Sequence, residues 1–594
     1  MKKLIFFITL FLLFSCNKKE NQNYTANYQA EVKELLLVHQ ADLVKNLNVF
    51  DSLAKNDFQI EKLKKAFLES RLAFKKTEPV IAHYFPENNK RLNGAAIPFN
   101  SIYDNTYRVI EPTGFQVVEE LLFSEEIDTL ILQSEIYKLK TLSAALENKL
   151  NYMQFNDTSL FEAYRLQVLR IISLGLSGFD SPVAFYSLPE AVSALEGLKS
   201  YLEIYSKDNN ELNTAFKNAI DFIKNSDDFN SFDRYKFIKE HEKALSKTIK
   251  EIQEETNIPY SKFRTVIDFK KESFATENMF NPIYFSPPRV EKADSNQVAL
   301  GEKLFFDPIL SGNGQVSCAT CHIPEQGYAD RKRKVFENTK LEVNRNAPTL
   351  LTAAYQNSYF HDGRIPFLED QAKSVINNKD EMHGSFDEAI VRLSENEEYK
   401  TFFNQNFEDG ITEKNFLYVM ASFIRDLPSF SSKFDNALRG KTALNDSEIN
   451  GFNLFMGKAK CAICHFYPVF NGSVPPLYQE TESEVIGVPA QKDTINAVVD
   501  PDLGVYYVHG APLKKFAFKT PTVRNAALTF PYMHNGVYDS LEEVIDFYNR
   551  GGGAGIGIEL DNQTLPFDHL NLNENEIKDL IAFIETLNDN LGAY

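Results

Sequence analysis

Four cysteines and two histidines recur in one spacing. Cys318, Cys321 and His322 form a C-x-x-C-H pentapeptide, and Cys461, Cys464 and His465 repeat it. Two thiols one helical turn apart can bond covalently to the two vinyl groups of a haem, and the adjacent imidazole then ligates the iron. The spacing therefore predicts two covalently bound haem c groups, with His322 and His465 as proximal ligands.

Two other uses of paired cysteines fit the sequence less well. A structural zinc site needs its ligand pairs closer in sequence than Cys321 and Cys461 are. A thioredoxin-like redox pair needs a βαβ context, and the sequence gives no sign of one. Haem attachment also uses every cysteine that follows Cys16.

The N-terminus has the features of a secretion signal. Two lysines precede the apolar run 4–13, which is too short to span a bilayer. The run ends in Leu13-Phe14-Ser15-Cys16, which resembles a bacterial lipobox. We expect residues 1–15 to be a lipoprotein signal peptide and Cys16 to be lipidated; a plain signal peptide with an incidental cysteine is the alternative. This predicts an exported protein of the bacterial cell envelope, facing the periplasm or the cell surface, that meets the membrane only through its lipid anchor.

Composition narrows the class of partner. The 594 residues include 82 Asp and Glu against 63 Lys and Arg, a formal charge of −19, and there is no Trp. This acidic balance argues against nucleic acid as a partner, because phosphate backbones select Lys and Arg. It permits a basic protein partner.

The elements that must position the C-x-x-C-H motifs are helical. A Gly-x-x-Leu-Phe pattern precedes each motif, at Gly301 and Gly451, and a helical segment closes each unit. This predicts tandem c-type haem domains over 295–440 and 441–594. Helical periodicity continues through 27–255, and a Pro-containing linker covers 256–294. The predicted fold class is all-α, an N-terminal helical bundle followed by two haem domains.

The C-terminal half, from about residue 295 to 594, resembles the bacterial dihaem cytochrome c peroxidase/MauG family. The matching motifs lie at 301–308, 345–350, 360–364, 369–372, 381–382, 518–525 and 531–536. The resemblance implies that the first haem is the peroxide site and that the second handles electrons. It also implies that Gln371 and Glu381 lie on the distal side of the first haem, where a Glu can shuttle a proton between the two peroxide oxygens.

The resemblance leaves the sixth ligand of the second haem open. Peroxidases of this family use a Met and MauG-type members use a Tyr. The family's ligand position falls on Tyr548, and Met533 is the nearest Met. We favour Tyr548, although it also continues the apolar stripe of its helix.

The family also binds calcium between its haems. The matching positions are Asn346, through its side chain, and Thr529 and Pro531, through their backbone carbonyls. Oxygen ligands of this kind suit a hard cation.

Two departures from the family pattern affect function. Peroxidase members carry a distal His in the loop after the first motif, whereas residues 323–345 contain no His and Asn338 lies near that position. This predicts an open distal face at the first haem. The family's Trp between the haems is replaced by His361, so electrons must tunnel directly or pass through a nearby Tyr.

The N-terminal bundle resembles an imelysin-type domain at 71–78 and 114–122. That family, linked to metal or iron handling, has a Gly-x-His-x-x-Glu motif; here the His is Gln116, a poor transition-metal ligand. Glu78 and Glu119 remain as candidate ligands, but a salt-bridged helical face is the favoured interpretation. We expect a degenerate domain used for docking or support.

Three functional hypotheses follow. The first is a peroxidase that reduces hydrogen peroxide with electrons from a small cytochrome or another redox protein. The second is a MauG-like enzyme that oxidises a protein partner. The third is a non-catalytic electron carrier or iron-uptake lipoprotein, against which Glu381 and Gln371 argue.

Overall fold

A computed structural model describes residues 27–101, 105–226, 228–334 and 345–591. The predicted signal peptide, Cys16 and Asn338 lie outside these ranges. The described chain is helical, with two antiparallel sheets of two strands each. None of its helices combines the length and apolar character needed to cross a membrane.

Ten helices and one hairpin form the N-terminal half. The helices are α1 Tyr28–Asn56, α2 Ile60–Tyr84, α3 Pro86–Asn93, α4 Phe115–Phe123, α5 Thr129–Tyr152, α6 Asp157–Arg170, α7 Ser187–Tyr205, α8 Asn210–Lys224, α9 Arg234–Phe237 and α10 Lys243–Glu255. The hairpin pairs β1 Phe99–Ser101 with β2 Asn105–Ile110. Single π-helical turns, Ile171–Gly175 and Ile238–Glu242, follow α6 and α9.

Ten further helices form the C-terminal half. They are α11 Ser295–Phe306, α12 Leu368–Asn377, α13 Phe386–Glu395, α14 Glu397–Asn406, α15 Glu413–Asp426, α16 Lys433–Leu438, α17 Asp446–Met456, α18 Tyr506–His509, α19 Leu541–Asn549 and α20 Glu574–Glu585. Strands β3 Ser483–Glu484 and β4 Phe518–Lys519 pair antiparallel. Long irregular segments connect these elements and carry most of the predicted site residues.

The same close helix crossing occurs twice in the C-terminal half. Helix α11 packs on α15, where a Cβ at Gly301 would lie 2.1 Å from the carbonyl oxygen of Val419. Helix α17 packs on α20, where a Cβ at Gly451 would lie 1.9 Å from that of Asp579. Each glycine permits a backbone approach that no larger residue allows. The repeated Gly-x-x-Leu-Phe pattern of the sequence therefore marks two equivalent helix pairs.

One hydrophobic core joins the N-terminal bundle to the second of these pairs. It contains buried residues of α1, α2, α5, α6 and α7 together with Phe452, Phe470 and Phe583. The stretch 256–294, expected as a linker, contributes Ile267 and Phe280 to this core. Part of this stretch is therefore packed against the protein, because its apolar side chains gain more from burial than the segment loses in flexibility, whereas Phe263 remains 87% exposed.

Replacing Gly451 by Ala should lower the free energy of unfolding by about 1–3 kcal/mol. A helical Gly→Ala change normally stabilises, but here the new methyl group would overlap the carbonyl of Asp579. Gly175→Ala is the matched control, since a Cβ there meets nothing within 4 Å. Urea unfolding followed by circular dichroism measures both. A Gly451→Ala protein as stable as the control would contradict the close crossing.

Candidate dihaem site

Both C-x-x-C-H motifs fold into the same tight turn. Cys318–Thr320 and Cys461–Ile463 each form one turn of 3₁₀-helix. The amide of His322 donates to the carbonyl of Cys318 at 2.9 Å, and that of His465 donates to Cys461 at 3.0 Å. This i to i+4 bond brings each histidine back beside its first cysteine, as attachment of one planar group to all three side chains requires.

The two histidine rings are held in the same way. His322 Nδ1 lies 3.0 Å from the carbonyl oxygen of Tyr328, and His465 Nδ1 lies 2.9 Å from that of Pro521. A carbonyl only accepts, so Nδ1 must carry the proton and donate it. The lone pair is thereby on Nε2, the nitrogen that can ligate a metal. The donor set fits two haem irons.

The attachment residues are largely buried but not completely covered. Burial raises the pKa of Cys318, Cys321 and Cys461 to about 12, and it lowers the pKa of His465 to about 4. Each of these side chains nevertheless keeps part of its surface accessible. They therefore lie deep in the chain without being packed on every side, which suits residues that border a bound group.

Two carboxylates act on the first motif. Burial raises the pKa of the Cys321 thiol, and the charges of Asp330 and Glu381 raise it further. Glu381 Oε1 accepts a hydrogen bond of 3.0 Å from Asn378 Nδ2. Burial raises the pKa of Glu381, and the nearby Arg364 partly offsets this. The predicted partner Gln371 lies half-buried on α12 and has no hydrogen-bond partner among the described residues.

A chain of ion pairs supports Arg364. Its guanidinium lies 3.6 Å from the centre of the Phe360 ring and bonds Asp362 at 2.9 Å. Asp362 also accepts from Arg345 at 2.7 Å, and Arg345 continues to Asp502 at 2.7 and 2.9 Å. Sequence motifs contain Arg345 and Arg364 but do not give them these roles. No local pattern singles out Asp502, because its partner is distant in sequence.

His361 lies between the two motifs. Its Nε2 is 3.2 Å from the carbonyl oxygen of Asn346, and its own carbonyl accepts from the amide of Lys519 at 2.8 Å. Lys519 stands two residues before Pro521, whose carbonyl holds His465. Burial lowers the pKa of His361 to about 3, so its ring is neutral.

Lys519 is a further residue that the sequence did not identify. Its ammonium donates to Gln356 Oε1 at 2.7 Å, and burial lowers its pKa to about 8. An amide neutralises no charge, so this lysine is a deep cation with a neutral partner beside the second motif. A group that carries carboxylates, as haem does through its propionates, complements such a cation.

Tyr548 lies beside the second motif. Its pKa is raised by burial and by the charges of Cys464 and Cys461, which places its hydroxyl near both thiols. Met533 packs in the same small cluster as Tyr548, with Val537 and Phe547. Tyr548 and Met533, the two side chains predicted as alternative sixth ligands of the second haem, therefore lie in the same hydrophobic cluster.

Of the residues predicted to bind calcium, Asn346 and Pro531 are in contact. Asn346 Nδ2 donates to the carbonyl oxygen of Pro531 at 2.9 Å and to that of Met533 at 3.0 Å, while Asn346 Oδ1 is buried without a hydrogen-bond partner among the described residues. A free amide oxygen is a ligand that suits a hard cation. Thr529 lies next to Phe530 and Pro531, and its hydroxyl donates within its own turn.

The acidic residues singled out in the N-terminal bundle form ion pairs with internal cations. Glu78 accepts from Lys75 at 2.9 Å, from Gln167 at 2.8 Å and from Arg170 at 2.8 Å. Glu119 accepts from the Ser181 hydroxyl at 2.8 Å and pairs with Arg71 at 3.4 Å. Gln116 donates to the carbonyls of Asn93 and Phe179 at 3.2 and 3.0 Å.

Comparison with known proteins agrees with the two haem motifs. Residues 295–443 match the family model for di-haem cytochrome c peroxidases. The chain is 36% identical over 320 residues to a cytochrome-c peroxidase of Pseudomonas sp. (strain SCT), covering 50% of this chain and 83% of that protein. It is 34% identical over 303 residues to the methylamine utilization protein MauG of Methylorubrum extorquens, covering 50% and 80%. It is 32% identical over 300 residues to the cytochrome c551 peroxidase of Nitrosomonas europaea, covering 50% and 81%.

Solved structures also match about half of the chain. A MauG-like protein associated with microbial copper homeostasis aligns with a TM-score of 0.45 and 27% identity, covering 51% of this chain and 92% of that one. The diheme peroxidase BthA from Burkholderia thailandensis aligns with a TM-score of 0.41 and 22% identity, covering 52% and 89%.

Two equivalent haem-attachment turns define the class as a c-type cytochrome with two haems. Together with the relatives that are 34–36% identical and covered over 80–83% of their length, they show that the chain belongs to the dihaem cytochrome c peroxidase/MauG family.

Substituting Met for Lys519 should raise the free energy of unfolding of the haem-free chain at pH 7, by on the order of 1 kcal/mol. The folded pKa of about 8 lies below the ordinary value of 10.5, so folding is penalised wherever the lysine is charged. The gain should be full below pH 8 and vanish as the pH approaches 10.5. Lys514→Met is the control, because the carboxyl of Glu482 lies within electrostatic reach of Lys514 and compensates its charge. An equal effect of the two substitutions, or no pH dependence, would contradict the isolated-cation assignment.

Proposed function

We propose that this protein is a dihaem enzyme that reduces hydrogen peroxide, with electrons that an external redox protein delivers through the second haem. The observation that carries this proposal is the attachment turn that occurs twice, each time with its histidine bonded through Nδ1 to a backbone carbonyl. The carboxylate of Glu381 acts on Cys321 of the first turn, and Tyr548 packs in one cluster with Met533 near the second. Cys318, Cys321 and His322 would hold the first haem, and Cys461, Cys464 and His465 the second.

The first haem, when bound, supplies an iron that accepts peroxide and exchanges electrons with it. Peroxide must lose a proton from one oxygen and gain a proton on the other before its O–O bond breaks unevenly. Glu381 is suited to this transfer because burial brings its pKa closer to neutrality while Asn378 fixes one oxygen. The positive charge of Arg364 lowers the pKa of Glu381 and so opposes the effect of burial. Glu381 can therefore both take up and release a proton.

The second haem would receive electrons from a small cytochrome or similar donor. Tyr548 is the proposed sixth ligand, with Met533 as the alternative. A phenolate stabilises oxidised iron, whereas a thioether raises the reduction potential. A Tyr ligand therefore favours a second haem that stores oxidising equivalents.

This preference supports a second candidate function, the MauG-like oxidation of residues on a partner protein. Residues 323–345 contain no His, and this also favours the MauG-like function. No distal histidine then has to leave the first haem before peroxide binds. The replacement of the Trp between the haems by His361 points towards the simpler peroxidase. A purely electron-carrying or iron-uptake role would not require a proton-transferring group such as Glu381.

Further proposals complete this assignment. A calcium ion would bind at Asn346 with the carbonyls of Thr529 and Pro531. The haem domains would span 295–440 and 441–594, and the imelysin-like bundle 27–255 would serve as support. Lipidation at Cys16 would hold the exported protein at the bacterial envelope.

Glu381→Gln should lower peroxide turnover at least about 10²-fold, because the amide cannot take up and return a proton. In the wild type, turnover should fall as the pH drops through the raised pKa of Glu381, and this acid limb should disappear from the residual activity of the variant. Stopped-flow measurement of peroxide consumption against pH tests both points. Asp380→Asn is the matched control, since it removes a neighbouring carboxylate that is exposed. Unchanged turnover in Glu381→Gln, with both haems attached, would refute the catalytic assignment.

Tyr548→Phe should change the optical and EPR signals of the second haem and leave those of the first haem intact. The hydroxyl is the proposed iron ligand, and Phe keeps the ring and its packing. Met533→Leu in parallel should leave both signals in place. A methionine–iron charge-transfer band that survives Tyr548→Phe and disappears in Met533→Leu would assign the ligand to Met533.

A further inference from the structure

One short segment of the N-terminal bundle reaches the second C-x-x-C-H motif. It covers 170–180, from the last residue of α6 through the π-helical turn Ile171–Gly175 to Asp180. Its middle is buried in the core that the bundle shares with α17 and α20. We call it the bracing segment.

The bracing segment touches the residues that directly follow His465. The Phe179 ring packs edge-on against that of Phe466, with centroids 5.7 Å apart and planes at 74°. The Ser173 hydroxyl donates to the carbonyl of Tyr467 at 2.8 Å. Both Phe466 and Tyr467 are at most 1% exposed, so these contacts lie inside the protein.

A dense charge network anchors the far end of the segment. Both oxygens of Asp180 accept from the guanidinium of Arg170, at 2.7 and 2.9 Å, and Lys75 and Asn93 donate at 2.5 and 3.1 Å. The carbonyl of Asp180 accepts from Arg71. All of these side chains are at most 3% exposed. Buried pairs of this kind resist displacement, because separating them leaves uncompensated charge in a low-dielectric interior.

A second contact ties the bundle to the helix that leads into the motif. Asn453 on α17 donates to Asp233 at 3.1 Å and accepts from the amide of Tyr235 at 3.1 Å. A Cβ at Gly457 would lie 3.0 Å from the guanidinium of Arg234. The bundle therefore contacts the chain on both sides of the second motif, before Cys461 and after His465.

We propose that the bracing segment positions the second haem-attachment turn, so that the ligand geometry at His465 depends on Phe179 and Ser173 of the N-terminal bundle. This rests on the proposed attachment of haem to Cys461 and Cys464. Phe179 and Ser173 are positioning residues, since they act through Phe466 and Tyr467. The charge network keeps both in place, and the bundle is thereby part of the second haem site.

Each of four buried carboxylates in the bundle forms an ion pair with at least one buried cation. These four, Glu78, Glu119, Asp180 and Glu190, share three cations, Arg71, Lys75 and Arg170. A metal bound there would have to displace a cation that holds the bracing segment. The charge network instead holds Phe179 in a fixed position.

The test uses the full haem-loaded protein with Phe179→Ala and, as control, Phe155→Ala. Phe155 packs edge-on against Tyr84 within the bundle, at 5.0 Å and 87°, so its loss weakens the bundle by a similar contact. Phe179→Ala should speed amide exchange at Phe466 and Phe470 about tenfold. It should also shift the EPR signal of the second haem. The control should do neither.

Haem attachment and the positioning role of Phe179 are tested by separate measurements. Intact mass and haem staining count covalent haems, and a count of two in each variant keeps the proposed attachment in place. If both haems are present and Phe179→Ala leaves exchange and EPR unchanged, or if Phe155→Ala changes them equally, the bracing role is overturned. Ser173→Ala provides a milder second variant that loses only the bond to Tyr467, and it should move the same signals in the same direction by a smaller amount.

Discussion

An imidazole that ligates a metal has one further nitrogen, and whatever that nitrogen bonds determines the orientation of the ring. In this protein the partner is a backbone carbonyl at both motifs, that of Tyr328 for His322 and that of Pro521 for His465. Backbone carbonyls cannot rotate away as side chains can, so the rest of the C-terminal half must hold two irregular loops in place. The helix pairs that cross at Gly301 and Gly451 provide this support.

Under the proposed function, the two attachment turns carry different chemistry. Because the turns are alike, such a difference would have to arise from the residues that surround each histidine. Glu381 is deep enough for its pKa to rise, and Arg364 limits the rise. Arg364 in turn depends on Asp362, Arg345 and Asp502, so a chain of ion pairs holds the cation that acts on this carboxylate. At the second turn, burial and the charges of the two thiols raise the pKa of the Tyr548 phenol, and burial and the charges of Glu484 and Glu482 raise the pKa of Cys464.

Local sequence patterns predicted the parts of this molecule that local chemistry determines. The C-x-x-C-H turns, the helical character and the Gly-x-x-Leu-Phe repeat follow from spacing alone. The bundle was expected to be separate, with a linker after residue 255. In the structure Ile267 and Phe280 of that stretch join a core that includes Phe452 and Phe583. Such packing depends on pairs far apart in sequence, as do the contacts of Asp502 and Lys519, and no periodicity encodes them.

The absence of Trp bears on how the two motifs communicate. His361 replaces the aromatic ring expected between them, and its low pKa keeps it neutral, so it adds no charge that would favour reduction of either iron. Its ring bonds the carbonyl of Asn346, and its own carbonyl bonds the amide of Lys519. Pro521, two residues beyond Lys519, accepts from His465 through its carbonyl. Peptide and hydrogen bonds thus connect Asn346 with His465 through His361. In this network the neutral imidazole serves as a hydrogen-bonding link.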